Sequence, residues 1–578
     1  KMFFYAKLQM VVLSIALAVF VFLWSRELFG IHAAIISLIL YGLDPTILAH
    51  SAIIHTDLPF AAWFFIGTYF FWRVLGKFSW LNLLLVSVMF GFAAITKHSF
   101  VVMAAVWLVL GGIEWFRPGA LATPAGPVPN RKYRLLHVAA IFSCSAVVAY
   151  LLIWSAYGFR FGAAADERAR LFMTQVLPAH RLIAQPVSSF IIDHRLFPEA
   201  LIAGYLYNLK VWQHSSYLLG ELSNDGFWSY FPIAFIVKTP LPTLLLLAAS
   251  VAWIISKRKS GPYLWFVVPP LLYFILAVLS RFNIGIRHLL PIYPFLFVLI
   301  GATVSEFWRN GSRIRKSALA ILGVWYVGSA LASYPHHLSY FNELVGGAKN
   351  GHKVLLDSNL DWGQDLKGLK KWLDENNVKK VQLFYFGTAE PKYYGIDDFY
   401  STENLAGTFG VGQRIDLPEH LAISANFLYG GELFLPKELV ELLRSYRLEQ
   451  PVGRVGYSIL VYKLNLTDSR VYENAAVVTA RKGAPDLAGL LLDKALQINP
   501  ASANGHFQLA ALLARRGEWN LAAENFREAL RIEPGHADAH YGLAQILKRQ
   551  GQIDEAAHHY QEALRILKED GARAKRGN

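Results

Sequence analysis

The feature that most constrains this chain is a series of apolar runs, each long enough to enter or cross a lipid bilayer. The hydrocarbon core of a bilayer is about 30 Å thick, and an α-helix crosses it in about 20 apolar residues. We place ten such runs in the first 333 of the 578 residues, at 8–24, 31–43, 59–75, 80–96, 100–116, 136–156, 232–256, 263–280, 289–307 and 318–333. The series predicts a polytopic α-helical membrane protein with about ten spans, because a helix satisfies its own backbone hydrogen bonds within lipid.

The short loops between these runs differ in their content of Lys and Arg. One set of alternate loops carries fourteen of them: Arg26, Arg73, Lys77, Arg117, Arg131, Lys132, Arg134, Lys257, Arg258, Lys259, Arg309, Arg313, Arg315 and Lys316. The opposite short loops carry three, namely Lys97, Arg281 and Arg287. Because loops rich in Lys and Arg stay in the cytoplasm, we expect the second set outside, together with loop 44–58, a long loop at 157–231 and everything after 334. The net charge of +14 then reflects topology, and we expect no nucleic acid partner.

The chain after residue 334 has the composition of a soluble protein and divides into two parts. Residues 334–465 predict a small extracytoplasmic α/β domain, with strands at 354–356, 381–386, 421–425 and 457–462 and helices at 366–373 and near 436–446. Residues 470–570 repeat every 34 residues, as at Ala495, Ala529 and Ala563. This spacing is the tetratricopeptide period, and it predicts an α-helical repeat array that binds a protein partner.

The loop between the second and third runs, at 44–59, has the sequence DPTILAHSAIIHTDLP. A carboxylate and imidazoles beside a membrane span are costly to bury, which indicates a site. Asp57 and His55 could ligate a divalent cation or position a sugar hydroxyl, with His50 as an additional candidate. The structural alternative is that Asp57 caps the helix that begins near Pro59. Both interpretations remain open, and the density of polar residues favours function.

The basic residues of the outer loops are candidates for binding an anion. Lys97 lies at the outer end of a span, and Arg287 shares one short loop with Arg281, against the charge bias of that side. Arg suits bidentate recognition of phosphate, whereas the alternative for all three is anchoring at the membrane interface. Lys238 lies within an apolar run, which makes it a further candidate. The carboxylates at 357–365 are explained adequately by turn formation and helix capping.

Taken in order, these motifs resemble the bacterial polyprenyl-phosphate-dependent glycosyltransferases of the GT-C superfamily, relatives of protein O-mannosyltransferases and lipid A aminoarabinose transferases. The resemblance rests on loop 44–57, on Thr96 with Lys97, and on IRHLLP at 286–291. It also includes YFP at 230–232, KTPLP at 238–242 and HLSYFNEL at 337–344, the last followed by the stretch 357–365. It spans roughly residues 1–465, and the tetratricopeptide repeats are an addition to the family pattern.

The resemblance implies a GT-C-like domain at 1–333 and an inverting transfer of a sugar from a lipid-linked phosphate donor. The acceptor would be a protein, a lipid or a glycan at the outer face of the bacterial cytoplasmic membrane. Asp57 matches the acidic position of the second catalytic loop, and Lys97, Arg287 and His288 match positions near the donor phosphate. The first acidic residue of the family is expected upstream of Lys1, and a chain without that segment is expected to be inactive or severely impaired.

Two questions about ligands and function stay open at this stage. The sequence predicts no organic cofactor, whereas a divalent cation bound by Asp57 and His55 is one interpretation of the polar loop. The alternative to an enzyme is a non-catalytic scaffold, embedded among membrane lipids, that recruits extracytoplasmic partners through its repeats. The outer-loop residues Asp57, Lys97 and Arg287 favour the enzyme, because a scaffold does not need them.

Overall fold

The computed structural model describes residues 2–116, 121–123, 126–128, 131–163, 184–210, 215–259, 261–405, 416–435, 437–447 and 449–576. Parts of the predicted loop at 157–231 lie outside these residues. The chain forms two compact units, Lys1–Leu360 and Asp361–Asn578, which we describe separately. Residues 334–360 pack within the first unit, so the division falls after the domain boundary expected at 333/334. The assignment of domains remains a prediction.

The first unit consists mainly of α-helices. They are α1 (Met2–Phe29), α2 (Ile31–Leu43), α3 (Pro45–Ser51), α4 (Asp57–Gly76), α5 (Trp80–Thr96), α6 (Phe100–Phe116), α7 (Arg131–Ala156), α8 (Ala184–Asp193), α9 (Glu199–Lys210), α10 (Tyr230–Lys238), α11 (Leu241–Ser256), α12 (Leu264–Leu279), α13 (Tyr293–Arg309) and α14 (Arg313–Ala332). Two antiparallel hairpins pair β1 (Leu121–Thr123) with β2 (Gly126–Val128) and β3 (Ser216–Leu218) with β4 (Glu221–Ser223). Short 3₁₀ helices include Ile286–Ile292 and Asp357–Asn359.

Within the described residues, five helices are long and apolar enough to cross a membrane. They are Phe4–Phe29, Asp57–Gly76, Arg134–Ala156, Gly261–Leu279 and Ile286–Arg309. The number rises to seven if each of two bent pairs counts as one span, α2 with α3 at 62° and α10 with α11 at 114°. The bends fall at Pro45 and Pro240, as expected for a residue that lacks an N–H and disfavours helix in the residue before it.

The expected count of ten spans is therefore not confirmed. The runs at 80–96 and 100–116 form α5 and α6, which are apolar but shorter than the others. The last run lies in α14, which begins with Arg313, Arg315 and Lys316. A run of apolar residues predicts burial in lipid or protein, but it does not by itself set the length of a span.

Helices of the first unit pack closely where small residues meet. Gly301 of α13 lies against α2, and a Cβ added to it would lie 2.7 Å from the carbonyl oxygen of Ala33 and 3.0 Å from the backbone nitrogen of Ser37. The Ser37 hydroxyl also lies 3.1 Å from that of Ser25 in α1. Small residues and interhelical hydrogen bonds are the means by which helices associate in membranes, where the hydrophobic effect is weak.

The second unit begins with a five-stranded mixed sheet. Its strands are β5 (Lys380–Phe384), β6 (Asp397–Asp398), β7 (His420–Ser424), β8 (Gly453–Val455) and β9 (Ile459–Lys463), in the order β6-β5-β7-β9-β8. β5 pairs in parallel with β6 and β7, and β9 pairs antiparallel to β7 and β8. Four helices accompany it: α15 (Leu366–Glu375), α16 (Thr402–Leu405), α17 (Ala425–Phe434) and α18 (Lys437–Arg444). Leu366, Leu369 and Leu373 of α15 pack on the sheet, as the spacing of apolar residues on one helix face requires.

The strand predicted at 354–356 is wrong. These residues follow a 3₁₀ helix, Ala348–Lys353, in the first unit. Val354 accepts a hydrogen bond from the backbone nitrogen of Leu219 at 3.0 Å, next to the β3–β4 hairpin. Leu355 and Leu356 are buried. The three consecutive apolar residues correctly indicated burial. A run this short shows no hydrophobic periodicity, so it cannot distinguish a strand from irregular structure.

Three helix pairs complete the second unit. They are α19 (Ser469–Arg481) with α20 (Pro485–Ile498), α21 (Ala503–Arg516) with α22 (Trp519–Ile532), and α23 (Ala537–Arg549) with α24 (Ile553–Arg576). The recurring alanines are buried where the helices pack, as at Ala495, Ala529 and Ala563. This arrangement is that of stacked helical repeats.

Candidate active site

Asp57 is the first residue of α4, and its side chain is only 3% exposed. The cap of α4 is Thr56, which makes no side-chain capping bond. Asp44 instead caps the neighbouring α3, because its Oδ1 accepts hydrogen bonds from the backbone N–H groups of Thr46 and Ile47 at 2.9 and 3.0 Å. The structural interpretation of Asp57 as an N-cap is therefore not what the geometry shows, and its buried carboxylate has other partners.

His55 holds Asp57 from the loop side. Its Nε2 lies 3.0 Å from the carbonyl oxygen of His50, and its Nδ1 accepts a hydrogen bond of 3.1 Å from the backbone nitrogen of Asp57. These two partners assign the proton of a neutral imidazole to Nε2, which donates to the carbonyl. Nδ1 also lies 3.3 Å from Asp57 Oδ2. His55 thus orients the backbone of Asp57 at the start of α4, and its ring lies beside the carboxylate.

Lys97 and Arg287 approach the Asp57 carboxylate from two other loops. Lys97, directly after α5, donates a short hydrogen bond to Asp57 Oδ1. Nη1 of Arg287 lies 3.6 Å from Asp57 Oδ2, and Arg287 belongs to the 3₁₀ helix that precedes α13. Their side chains are 17% and 18% exposed, so each cation can still be approached from outside the protein.

His288 completes the cluster. Its Nδ1 accepts a hydrogen bond of 3.2 Å from the Lys97 ammonium and lies 3.8 Å from Asp57 Oδ1. The neutral ring then carries its proton on Nε2, and this buried N–H has no hydrogen-bond partner among the described residues. A buried donor without a partner is rare and costly in proteins, and it indicates a place where a ligand oxygen can bind.

The other predicted site residues lie in different surroundings. Arg281 is exposed and lies 3.8 Å from the exposed Asp225. Lys238 is buried and donates hydrogen bonds of 2.7 Å to the carbonyl oxygens of Leu338 and Asn359. The Nδ1 of His50 donates to the carbonyl oxygen of Thr46 at 2.7 Å, and its ring lies 5.4 Å from that of His55.

One group of residues that contacts the site was not predicted from the sequence. Ser358 and Asn359, in the stretch that we attribute to turn formation, hydrogen-bond to the loop that carries Arg287. Asn283 also accepts a hydrogen bond from the backbone nitrogen of Phe227 at 2.7 Å, which ties the same loop to the segment before α10. The sequence signal for these residues is a polar stretch that directly follows apolar residues. That local pattern does not show which loop the stretch contacts.

The rest of that stretch, in the second unit, has local partners. Asp361 and Asp365 are buried, and each accepts a hydrogen bond from a serine hydroxyl, Ser424 at 2.5 Å and Ser458 at 2.6 Å. Burial raises the pKa of the Asp361 carboxyl to about 7, against the lowering by its hydrogen bonds. The contacts of Asp361 include a turn, in which it accepts a hydrogen bond of 2.8 Å from the backbone nitrogen of Gly363. Asp365, directly before α15, makes no side-chain capping bond, so the expected helix capping is wrong.

No group of three or more His, Cys, Asp or Glu side chains suited to a metal ion occurs within the residues that the structure describes. Asp57 and His55 supply two ligating groups, and the ammonium of Lys97 already contacts the Asp57 carboxylate. A divalent cation at this carboxylate would meet repulsion from Lys97 and Arg287.

The fold and site together define a helical membrane protein that has a cationic cluster around one buried carboxylate and a second unit with helical repeats. Residues 3–123 match the family model of dolichyl-phosphate-mannose-protein mannosyltransferases, and residues 513–576 match that of the tetratricopeptide repeat. These matches confirm the resemblance expected from the sequence. The mannosyltransferase match includes Asp57 and Lys97, whereas Arg287 and His288 lie beyond it. No curated protein matches the chain.

Solved structures resemble the chain at low similarity. ArnT from Cupriavidus metallidurans, bound to undecaprenyl phosphate, aligns over 79% of this chain and 83% of its own, at 12% identity and a TM-score of 0.39. MamA aligns over 19% of this chain and 64% of its own, at 21% identity and a TM-score of 0.18. YrrB, described as a TPR protein with an unusual peptide-binding site, aligns over 17% and 51%, at 24% identity and a TM-score of 0.16.

Proposed function

We propose that the chain is a glycosyltransferase that transfers a sugar from a polyprenyl-phosphate donor to an acceptor at the outer face of the bacterial cytoplasmic membrane. The observation that carries the proposal is the convergence on Asp57 of Lys97 from one loop and of Arg287 and His288 from another. The match of residues 3–123 to a mannosyltransferase family supports the same class of reaction.

The permanent charges of the cluster suit a lipid phosphodiester. Lys97 and Arg287 against Asp57 leave one net positive charge when the histidines are neutral. A polyprenyl-phosphate sugar carries a single negative charge at its phosphodiester, and it gains a second one when the bond from the anomeric carbon to the phosphate oxygen breaks. Cations placed at this phosphate therefore stabilise the transition state more than the bound donor.

The cluster supplies a role for each residue in the transfer. The acceptor nucleophile bonds to the anomeric carbon, its proton passes to a base, and the phosphate oxygen departs with the bonding electrons. Asp57 orients Lys97 and Arg287 towards the phosphate, and His55 orients Asp57. The unpaired Nε2–H of His288 donates to a phosphate oxygen.

The test measures sugar transfer in membranes that contain the full-length protein. A polyprenyl-phosphate donor with a radiolabelled sugar is added, and the label is followed into protein, lipid and glycan fractions. Asp57→Ala, Lys97→Ala and Arg287→Ala are each expected to lower transfer on the order of 100-fold, the effect of removing one group that stabilises developing charge. Insertion into the membrane should remain intact in all three variants.

Arg73→Ala is the matched control, because it also removes an ion pair from α4. Arg73 lies 3.3 Å from Glu27, at the opposite end of that helix from Asp57. At about 1.5 Å per residue the two positions are roughly 24 Å apart along the axis, so transfer should stay near the wild-type rate. Full transfer in all three site variants contradicts the proposal. Absence of label from every wild-type fraction also contradicts it and leaves the scaffold as the remaining function.

The same assay separates phosphate binding from metal binding at Asp57. The positive charges of Lys97 and Arg287 favour a bound phosphate over a divalent cation at this carboxylate. Transfer is therefore expected to persist in EDTA. Loss of transfer in EDTA and its restoration by Mg²⁺ or Mn²⁺ would instead assign Asp57 and His55 as metal ligands.

We also propose that the repeats bind a protein partner of the enzyme. A groove of about 510 Å³ lies on the repeat helices. Its walls combine apolar and polar side chains, among them Phe507, Asn504, Arg481 and Arg515. A groove with a mixed lining of this size suits an extended polypeptide, whose backbone needs hydrogen-bonding groups and whose side chains need apolar contacts.

A further inference from the structure

The loop that carries Arg287 and His288 is held by a short 3₁₀ helix far along the chain, Asp357–Asn359. The Ser358 hydroxyl donates a hydrogen bond of 2.7 Å to the carbonyl oxygen of Ile284. The backbone nitrogen of Ile286 donates one of 2.8 Å to Oδ1 of Asn359. These two bonds flank Gly285 and fix the backbone immediately before Arg287.

Gly285 allows this contact to be close. A Cβ at this position would collide with the Ser358 hydroxyl. Ser358 and Asn359 are 3% and 0% exposed, so water does not compete for their hydrogen bonds. Because Gly285 has no side chain, the side chain of Ser358 can approach the backbone of the Arg287 loop.

The side chain and the backbone carbonyl of Asn359 form further hydrogen bonds. Its Nδ2 donates to the hydroxyl of Tyr230 at 2.9 Å and to the carbonyl oxygen of Leu356 at 2.8 Å. Its own carbonyl oxygen accepts a hydrogen bond of 2.7 Å from the buried Lys238 ammonium. Lys238 also lies 4.3 Å from the centre of the Phe341 ring, as in a cation–π contact. The amide of Asn359 therefore has one orientation available, and that orientation presents Oδ1 to Ile286.

We propose that Ser358 and Asn359 are positioning residues, which set the Arg287 loop so that Arg287 and His288 face the donor phosphate. The inference rests on the proposed function and adds residues to the same site. It also assigns a structural role to the buried Lys238. Lys238 holds the 3₁₀ helix Asp357–Asn359, and this helix holds the Arg287 loop. A misplacement of a binding group by a fraction of an ångström to an ångström is enough to weaken electrostatic stabilisation.

The test uses purified full-length protein in detergent and undecaprenyl phosphate as the probe, with the dissociation constant as the readout. Ser358→Ala is expected to weaken binding about threefold to tenfold, the range for loss of one hydrogen bond. Ser87→Ala is the matched control, because Ser87 of α5 is also buried and its hydroxyl donates a hydrogen bond of 2.8 Å to a carbonyl oxygen, that of Leu83 in the same helix. That bond does not involve the 3₁₀ helix or the Arg287 loop, so binding should stay within about twofold.

A double-mutant cycle separates positioning from general stability. If Ser358 acts through Arg287 and His288, then the effect of Ser358→Ala on binding is smaller in an Arg287→Ala background than in the wild type. A merely structural role predicts that the two effects add. Thermal unfolding of every variant is recorded alongside. If Ser358→Ala does not fold, Tyr230→Phe removes the partner of Asn359 Nδ2 instead and is expected to weaken binding about threefold.

The outcomes distinguish this inference from the proposed function. Wild-type binding by folded Ser358→Ala and Tyr230→Phe variants, with binding lost in Arg287→Ala, overturns the positioning role and leaves the proposed function standing. Equal weakening by Ser87→Ala and Ser358→Ala, or additive effects in the cycle, overturns it as well. Unchanged binding in Arg287→Ala and Lys97→Ala overturns the proposed function itself.

Discussion

Two aspartates in one loop show how partners rather than local sequence decide the role of a side chain. Asp44 directly precedes Pro45 and caps α3 with hydrogen bonds to two backbone N–H groups. Asp57 precedes Pro59 by two residues and is equally suited to capping from its sequence, yet it faces Lys97 and Arg287. Both carboxylates are buried, and that of Asp57 forms ion pairs with cations from two distant loops.

Asp361 provides a test at the scale of one residue. Because burial raises its folded pKa to about 7 from 3.8, the folded state binds more protons than the unfolded state between these values. The stability of the second unit should therefore fall as the pH rises from 4 to 7, by up to about 1.4 kcal/mol per pH unit, and then level off. Asp361→Asn should make this fall smaller, and the remainder comes from Asp398, whose pKa is raised by burial to about 6.

Hydrogen exchange of β7 in the full-length protein, corrected for intrinsic rates, measures this effect, because Ser424 of β7 bonds to Asp361. Asp374→Asn is the control, since Asp374 is 61% exposed and pairs with Lys370 on the surface of α15. An unchanged pH dependence in Asp361→Asn would show that the carboxyl of Asp361 is not the group responsible.

At the scale of elements, bends and close contacts decide where the site residues lie. The bend between α2 and α3 and the start of α4 place loop 44–57 beside the ends of other helices. The 3₁₀ helices Ile286–Ile292 and Asp357–Asn359 contact each other through Gly285. These features lie at helix ends or between helices, and they place Asp57 and Arg287 within 3.6 Å of each other.

A substitution at Gly301 tests how closely α2 and α13 pack. Gly301→Ala places a Cβ 2.7 Å from the carbonyl oxygen of Ala33, so α2 and α13 must separate, at a cost of about 1–3 kcal/mol for overpacking. Gly323→Ala is the matched control, because Gly323 also lies within a helix of the first unit, α14, and has no neighbour within 4 Å of an added Cβ. Thermal unfolding in detergent should show a lower midpoint for Gly301→Ala alone. An equal or higher midpoint would contradict the close packing of the two helices.

At the scale of the whole molecule, the orientation in the membrane decides which face carries the chemistry. The distribution of Lys and Arg predicts that loop 44–58 lies outside and loop 257–259 inside. Cys144 is the only cysteine, so a Cys144→Ser background allows single cysteines to be placed. Ile54→Cys, at a 46% exposed position, should react with a membrane-impermeant maleimide in intact spheroplasts, whereas Lys257→Cys should react only after permeabilisation. The reverse pattern would put the site on the cytoplasmic side.

The sequence predicted much of the helical framework but not the way in which it bends. Apolar runs indicated the helices of the first unit, and amphipathic spacing predicted the helix that forms α15. The bends at Pro45 and Pro240 were not predicted, and the number of spans was not confirmed, because α5 and α6 are short and α14 begins with three basic residues. Strands near β5, β7 and β9 lie where alternation and β-branched residues predicted them, whereas 354–356 shows that a short apolar run leaves its conformation open.

By itself, the sequence determined that this protein is a helical membrane protein with tetratricopeptide repeats and a mannosyltransferase-like segment, because hydropathy, period and motif order are properties of residues along the chain. It also singled out Asp57, Lys97 and Arg287, since charge is costly beside a membrane span. Only the tertiary structure decided that these three meet, that Arg281 and Lys238 lie in other surroundings, and that Ser358 and Asn359 hold the Arg287 loop. Hydrogen bonds and ion pairs act over a few ångströms. The number of residues between two positions in the sequence does not tell whether they come that close in the fold.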